Sequence, residues 1–180
     1  MSPDREKHGA RHRLFFALVP PPAVRREVAR LQQRLDGDGR AVKPENLHVT
    51  LAFLGMQEKA VIPRIMAVAA GLEVPRCRIV LDQVGQFGRG RVFWLGSSIV
   101  PVALLRFQQD LVQALTAAGI GHDPKPWKLH LTLYRRLRKA PPTVDPVAIE
   151  WTTESFGLIE SVGARNGVEY HSLAQWTARP

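Results

Sequence analysis

The sequence has a single cysteine, Cys77, in 180 residues. One thiol excludes a disulfide within the chain and a zinc site built from several cysteines. No apolar run approaches the roughly 20 residues that a membrane-spanning helix needs, and Met1–Arg13 lacks the apolar segment of a secretion signal. We therefore expect a cytoplasmic protein without a membrane partner, since chains without disulfides are typical of reducing compartments.

Acidic residues are scarce as well. The chain has 16 Asp and Glu against 25 Lys and Arg, which gives a formal net charge of +9. Clustered cations gain affinity for polyanions by displacing counterions from phosphates, so the charge favours a nucleic-acid partner. The alternative is a basic protein without such a partner, and charge alone does not identify a reaction.

Periodicity along the chain predicts the α+β class. Three helices are expected from apolar residues at helical spacing: Val24, Val28, Leu31 and Leu35; Val61, Ile65, Val68 and Leu72; and Leu104, Phe107, Leu111 and Leu115. Strands are expected at 13–19, 47–54, 77–87, 92–95, 129–134, 151–159 and 168–176. Because the later strands cluster into hairpins, we expect mainly antiparallel sheet. One domain at 13–180 would follow a disordered basic arm at 1–12.

One tetrad occurs twice in the chain. Residues 48–51 read His-Val-Thr-Leu and residues 130–133 read His-Leu-Thr-Leu, so the two histidines lie 82 positions apart. By composition, such a pair is expected in about one shuffled sequence in several thousand. In a strand, residues i and i+2 share a face. Each strand should therefore present an imidazole and a hydroxyl together and bury the residue between them.

Two imidazoles suit displacement at phosphorus. Near neutrality one ring can be protonated while the other is neutral, so the two histidines together can supply a base and an acid. Thr50 and Thr132 can donate hydrogen bonds to phosphate oxygens. Arg135 would add a charge-assisted contact, although strict alternation along the strand would turn it to the opposite face.

Metal and ATP chemistry have less support. A zinc site needs three or four nitrogen, sulfur or carboxylate ligands, and the two histidine strands contain no Asp or Glu. No Walker-type loop is present, and the segment 88–91, Gly-Arg-Gly-Arg, is more typical of a hairpin turn. We therefore expect neither a metal nor another cofactor.

The two tetrads, each inside an apolar strand, resemble those of the two-histidine phosphoesterase superfamily. Within it, the sequence is most similar to the RNA 2′,3′-cyclic phosphodiesterase family, historically called 2′-5′ RNA ligase. The similarity extends over roughly residues 12–178. It includes the opening strand 13–18, the segment 45–55 around the first tetrad, Phe93–Gly96, and the closing segment 156–161.

This resemblance implies a fold of two lobes related by a pseudo-twofold axis, with antiparallel sheets lining a central cleft and helices outside. It also implies that His48 is the proton donor and His130 the proton acceptor. Thr50, Thr132 and Arg135 would bind the substrate phosphate, and Phe53 would stack on the terminal base, its alternative being core packing. Unlike the family pattern, this chain has Leu129, not proline, directly before the second histidine.

The function expected from these features is hydrolysis of an RNA-terminal 2′,3′-cyclic phosphate to a 2′-phosphate. The same site could form a 2′-5′ RNA linkage in reverse without ATP. The substrate would be RNA with a cyclic phosphate end, such as a tRNA fragment, and the protein would act as a monomer. Two alternatives stay open: a phosphodiesterase for a small cyclic nucleotide or ADP-ribose cyclic phosphate, and an RNA-binding module without catalysis.

Overall fold

A computed structural model of the protein describes residues 10–35, 37–88, 91–139, 147–165 and 167–179. Its helices are α1 (Pro22–Leu35), α2 (Ile62–Ala70) and α3 (Val102–Ala117). Its strands are β1 (Arg11–Leu18), β2 (Arg40–Ala41), β3 (Val49–Glu58), β4 (Cys77–Leu81), β5 (Gln83–Phe87), β6 (Val92–Gly96), β7 (His130–Arg135), β8 (Ile149–Thr153), β9 (Ser155–Ala164) and β10 (Gly167–Thr177). Most of the predicted arm, residues 1–9, and positions 89–90 of the predicted turn lie outside the described residues.

The strands form two antiparallel sheets, which confirms the predicted class. Eight strands make one sheet in the order β10-β9-β1-β3-β7-β6-β5, with β2 also pairing to β7. Strands β4 and β8 form a separate two-stranded sheet. Between β3 and β7 the paired residues are Val49 and Leu131. The large sheet therefore has two halves that meet at these two strands.

The predicted helical stripes face the core. The stripes of α1 and α3 are buried throughout, and in α2 Ile65 is fully buried. Helix α3 stops before Gly119, whose positive φ of 66° suits a residue without a side chain. No helix in the described ranges is long and apolar enough to cross a bilayer.

Two predicted strands are each two strands in the structure. The segment 77–87 divides at Asp82 into β4 and β5, and the segment 151–159 divides at Glu154 into β8 and β9. In both cases one half pairs within the small sheet while the other joins the large sheet. The carboxylate of Asp82 accepts hydrogen bonds from the backbone N–H and hydroxyl of Ser98, which holds the chain where it changes sheets.

Strands β1 and β3 are longer than predicted because they continue to pair with each other beyond the predicted ends. β1 begins at Arg11, inside the predicted arm, and pairs along its length with β3 as far as Glu58. Gly55 does not end β3: it adopts a φ of 69°, next to a register shift, and the strand continues. His12, predicted to belong to the arm, lies in β1 with Nδ1 2.6 Å from Oε1 of Glu160.

The two faces of the large sheet differ. One face, with Leu14, Phe16 and Leu18 of β1, belongs to the main apolar core. On the other face, Phe15 and Ala17 pack with Ile159 in a small second cluster. This second face carries the candidate site residues described below and is called the cleft face.

Candidate active site

The register between β3 and β7 brings the two tetrads together. Val49 and Leu131, the middle residues of the two motifs, are direct antiparallel partners and are fully buried. Stepping one residue along each strand sets His48 opposite Thr132, and Thr50 opposite His130. These four residues flank the buried pair, so their side chains share the cleft face.

Both imidazole rings are oriented in the same way. Nδ1 of His48 lies 2.7 Å from the carbonyl oxygen of Asn46, and Nδ1 of His130 lies 2.8 Å from that of Lys128. A carbonyl oxygen can only accept, so each Nδ1 carries a proton and donates it. In a neutral ring Nε2 is then the basic nitrogen. Neither Nε2 is hydrogen-bonded within the described part of the chain.

Aromatic rings surround each histidine. The ring centroids of Phe15 and Tyr170 lie 4.9 and 5.1 Å from that of His48. Those of Phe87 and Trp94 lie 4.9 and 6.3 Å from that of His130. These rings exclude water from the imidazoles and disfavour their charged forms.

The pKa of both histidines is consequently low. The pKa of His48 falls to about 4, first because of burial and then because Arg135 and His130 are close, although the bond to Asn46 opposes the shift. Burial is also the main cause that lowers the pKa of His130, with Arg135 and Lys128 adding to it. Both rings are therefore largely neutral at neutral pH.

A β-bulge brings Arg135 to the cleft face. Along β7, Thr132 is opposite Trp94 and Tyr134 is opposite Phe93, so Leu133 is an extra residue without a partner. Past this residue, Arg135 is opposite Val92, which shares a face with Trp94. The argument from strict alternation was therefore wrong, because the bulge restores Arg135 to the side of His130.

The first tetrad contains the equivalent bulge. Leu51 is the extra residue between Thr50, opposite Ala17, and Ala52, opposite Phe16. The bulge returns Phe53 to the cleft face, where it packs with the second cluster and the guanidinium carbon of Arg13 lies 5.1 Å from its ring centroid. Phe53 and Arg135 thus occupy matching positions, five residues after His48 and His130.

Two buried glutamines hold the carbonyl groups of the bulged residues. Nε2 of Gln32 in α1 donates to the carbonyl oxygen of Leu133 at 2.8 Å and to that of Val42 at 3.0 Å. Nε2 of Gln108 in α3 donates to the carbonyl oxygen of Leu51 at 3.1 Å. A buried carbonyl without a partner is costly, so these contacts stabilise the bulges that direct Arg135 and Phe53.

Sequence reasoning missed these glutamines, although a signal was present. Gln32 lies four residues after Val28, and Gln108 lies four residues after Leu104, so each interrupts the apolar stripe of its helix. A polar residue on an apolar face needs a buried partner. The sequence does not show which carbonyl that partner is.

Two cavities open on either side of the histidine pair. The His48 pocket has a volume of about 100 Å³ and is lined by Arg40, Ala41, Val42, Lys43, Asn46, His48, Thr132, Arg135, Val168 and Tyr170. The His130 pocket has a volume of about 1040 Å³ and is lined by Thr50–Phe53, Phe87, Gly88, Gln108, Val112, His122–Lys128 and His130. Each pocket thus contains one histidine and the threonine of the opposite tetrad.

Trp127 and Trp94 border the His130 side of the cleft. The indole N–H of Trp127 donates to the carbonyl oxygen of Thr50 at 2.8 Å. Lys128 Nζ lies 4.1 Å from the ring centroid of Trp94. With Leu129 buried in the proline position, the chain still gives His130 the same backbone contact as His48.

The other described histidines lie apart from the pair. His122 borders the far part of the His130 pocket, with Nε2 2.9 Å from the hydroxyl of Thr116. His171 is exposed on β10 beside Glu169. Within the described ranges, no three His, Cys, Asp or Glu side chains are grouped as a metal site would require.

Comparison with known proteins agrees with this arrangement. The model of the 2′-5′ RNA ligase superfamily matches residues 20–164. The RNA 2′,3′-cyclic phosphodiesterase of Escherichia coli is 32% identical over 168 residues, which cover 91% of this chain and 95% of that protein. The enzyme of the same name from Archaeoglobus fulgidus is 34% identical over 153 residues, which cover 82% and 85%.

The structural comparison gives the same result. The crystal structure of E. coli LigT complexed with 3′-AMP matches with a TM-score of 0.87 at 29% identity, covering 95% of this chain and all of that one (100%). A family model that spans most of the sequence, relatives at this identity and a shared fold show that the chain belongs to the 2′-5′ RNA ligase superfamily.

Proposed function

We propose that the protein hydrolyses the 2′,3′-cyclic phosphate at an RNA end to a 2′-phosphate. The observation that carries this proposal is the crossed pair of tetrads, in which each histidine shares a pocket with the threonine of the other strand. Such a site can flank one phosphate with two proton carriers and two hydroxyl donors. The relatives named RNA 2′,3′-cyclic phosphodiesterase support the same reaction.

In the proposed mechanism, His130 acts as base and His48 as acid. Nε2 of neutral His130 takes a proton from water as the water oxygen bonds to phosphorus. The bond from phosphorus to the 3′ oxygen breaks, and Nε2 of protonated His48 gives its proton to that oxygen. One turnover leaves His130 protonated and His48 neutral, and exchange with solvent restores both.

Thr50, Thr132 and Arg135 bind the non-bridging oxygens in this mechanism. Both hydroxyls lie on the cleft face and make no hydrogen bond within the described residues, so each can donate to a phosphate oxygen. Arg135 lies close enough to lower the pKa of both histidines. Its charge favours the phosphate anion, and the bound anion in turn raises the pKa of the acid towards the range in which it can be protonated.

Several finer proposals complete this function. Phe53, on the cleft face in the His130 pocket, would stack against the terminal base. With an RNA 5′-hydroxyl in place of water, the reverse reaction would form a 2′-5′ linkage without ATP, and weakly, because water is far more concentrated. We also propose that the enzyme acts as a monomer in the cytoplasm, on ends such as those of cleaved tRNA.

Product analysis tests the proposed function. An oligoribonucleotide ending in a 2′,3′-cyclic phosphate is incubated with exhaustively chelated protein, and the new end is identified by its resistance or sensitivity to 3′-specific phosphatase. We expect a 2′-phosphate, formed at the same rate with and without EDTA, because imidazoles carry the protons. A 3′-phosphate product, or loss of rate that zinc or manganese restores, would reject the mechanism. Turnover of small cyclic nucleotides but not of the oligonucleotide would favour the alternative substrate.

The pH dependence follows from the lowered pKa values. In the free enzyme, kcat/KM is greatest midway between the two macroscopic pKa values, where one ring is protonated and the other is neutral. Since the pKa of His48 is about 4 and that of His130 is below its usual value, this optimum should lie below pH 6.5. Bound phosphate raises both values, so the optimum of kcat should lie at higher pH. A kcat/KM optimum at pH 7 or above would contradict the assignment.

A further inference from the structure

The His48 pocket carries more positive charge than one phosphate needs. Besides Arg135 it is lined by Arg40 and Lys43, and no Asp or Glu lines it. None of these three cations forms a salt bridge within the described part of the chain. The carboxylate of Asp38, two residues before Arg40, instead accepts a hydrogen bond from the backbone N–H of Arg138.

The backbone brings two of these cations together. Arg40 in β2 and Arg135 in β7 are direct antiparallel partners, and like charges in that position repel each other. The guanidinium of Arg40 also packs against Gly167. Two arginines kept side by side in a pocket without a carboxylate indicate that the pocket binds more than one anionic group.

The direction of the proposed reaction indicates which second anion would lie beside Arg40 and Lys43. In the proposed mechanism the departing 3′ oxygen lies on the side of His48, and that oxygen belongs to the terminal ribose. From C3′ the sugar continues through C4′ and C5′ to the phosphate that joins the preceding nucleotide. The C3′–C5′ edge of the ribose and that phosphate therefore lie on the His48 side, while water arrives from the His130 side.

We infer that Arg40 and Lys43 bind the phosphate on the 5′ side of the terminal nucleotide. This inference rests on the proposed function and specifies its substrate class: nucleotides that carry a 5′-phosphate group, as every RNA end does, in preference to a bare nucleoside cyclic phosphate. Asn46 also lines this pocket. Its side chain donates to the carbonyl oxygen of Val168, which fixes the β10 wall of the pocket.

A pair of matched substrates tests the inference. One is a nucleoside 2′,3′-cyclic phosphate with a free 5′-hydroxyl, and the other is the same compound with a 5′-phosphate. For the wild-type protein we expect kcat/KM to be on the order of 10- to 100-fold higher with the 5′-phosphate, the usual effect of charge-assisted contacts. The ratio should decline at high salt because exposed charges are screened.

Variants then locate the site. The ratio should fall towards 1 in the double variant Arg40→Met and Lys43→Met, while Arg40→Lys, which keeps the charge, should retain most of it. Lys125→Met is the matched control in the His130 pocket and should keep the wild-type ratio. A ratio lost in Lys125→Met, or retained in the double variant, would overturn the inference.

The two proposals fail differently. If neither substrate is hydrolysed, and the cyclic-phosphate oligonucleotide is also inert, the proposed function is wrong and the inference is wrong with it. If both compounds are hydrolysed with equal kcat/KM by the wild-type protein, the proposed function stands and only the phosphate site is rejected.

Discussion

Replacing either cleft histidine with alanine should lower kcat/KM for an RNA cyclic phosphate by about 10²- to 10⁴-fold, the usual range for general acid–base groups. Both rings are held by a backbone carbonyl and packed among aromatic residues, so no other described imidazole can take their place. Because the two act in one step, the variant lacking both His48 and His130 should lose less than the product of the single losses.

His171→Ala is the control for the histidine variants. His171 is exposed on β10 and borders neither pocket, so its loss should leave kcat/KM within about twofold, as expected for surface positions. Thermal unfolding of each variant separates loss of the fold from loss of chemistry. A His48→Ala or His130→Ala protein that is folded and retains more than a tenth of the wild-type kcat/KM would contradict the assignment of that residue.

Arg135→Met should be the next most damaging change, with a loss of about 10²-fold in kcat/KM. A hydrogen bond between charged groups contributes about 1.5–3 kcal/mol, and the bulge at Leu133 directs this guanidinium to the cleft face. Arg135→Lys keeps the charge but not the planar pair of donors, so its loss should be smaller. A wild-type rate in Arg135→Met would contradict the role of Arg135 in binding the substrate phosphate.

A variant of Gln32, the buried glutamine of α1, tests how Arg135 is positioned. Gln32→Met removes the donor to the Leu133 carbonyl, so Arg135 is less well placed and kcat/KM should fall about tenfold. In protein that already carries Arg135→Met, the same change should cost little further activity, because the two residues act through one contact. Gln33→Met, exposed on the same helix, is the control. Additive losses would mean that Gln32 acts on stability alone.

The sequence predicted which residues the candidate site brings together better than it predicted their full geometry. The repeated tetrads pointed to His48, Thr50, His130 and Thr132 because strand alternation is a local property that the chain carries residue by residue. The helical stripes of α1 and α3 were confirmed for the same reason. The opposition of His48 to Thr132 was not predictable, since pairing register depends on two distant segments.

The features that the sequence did not predict depend on which strands lie next to each other in the fold. A strand that changes sheets at Asp82 reads as one continuous strand, because periodicity does not reveal which neighbour each half has. The bulges at Leu51 and Leu133 are invisible for the same reason, and they decide where Phe53 and Arg135 point. The repulsive pairing of Arg40 with Arg135 likewise exists only once β2 lies beside β7.

The most direct test of the two-histidine mechanism is a substrate whose departing atom needs no acid. In an RNA 2′,3′-cyclic phosphate with sulfur in place of the bridging 3′ oxygen, the departing thiolate is stable because thiols have a pKa of about 8.5. We expect His48→Ala to hydrolyse this substrate at close to the wild-type rate, whereas His130→Ala should stay inactive. Rescue of His130→Ala instead would reverse the two roles, and rescue of neither variant would contradict acid–base catalysis by this pair.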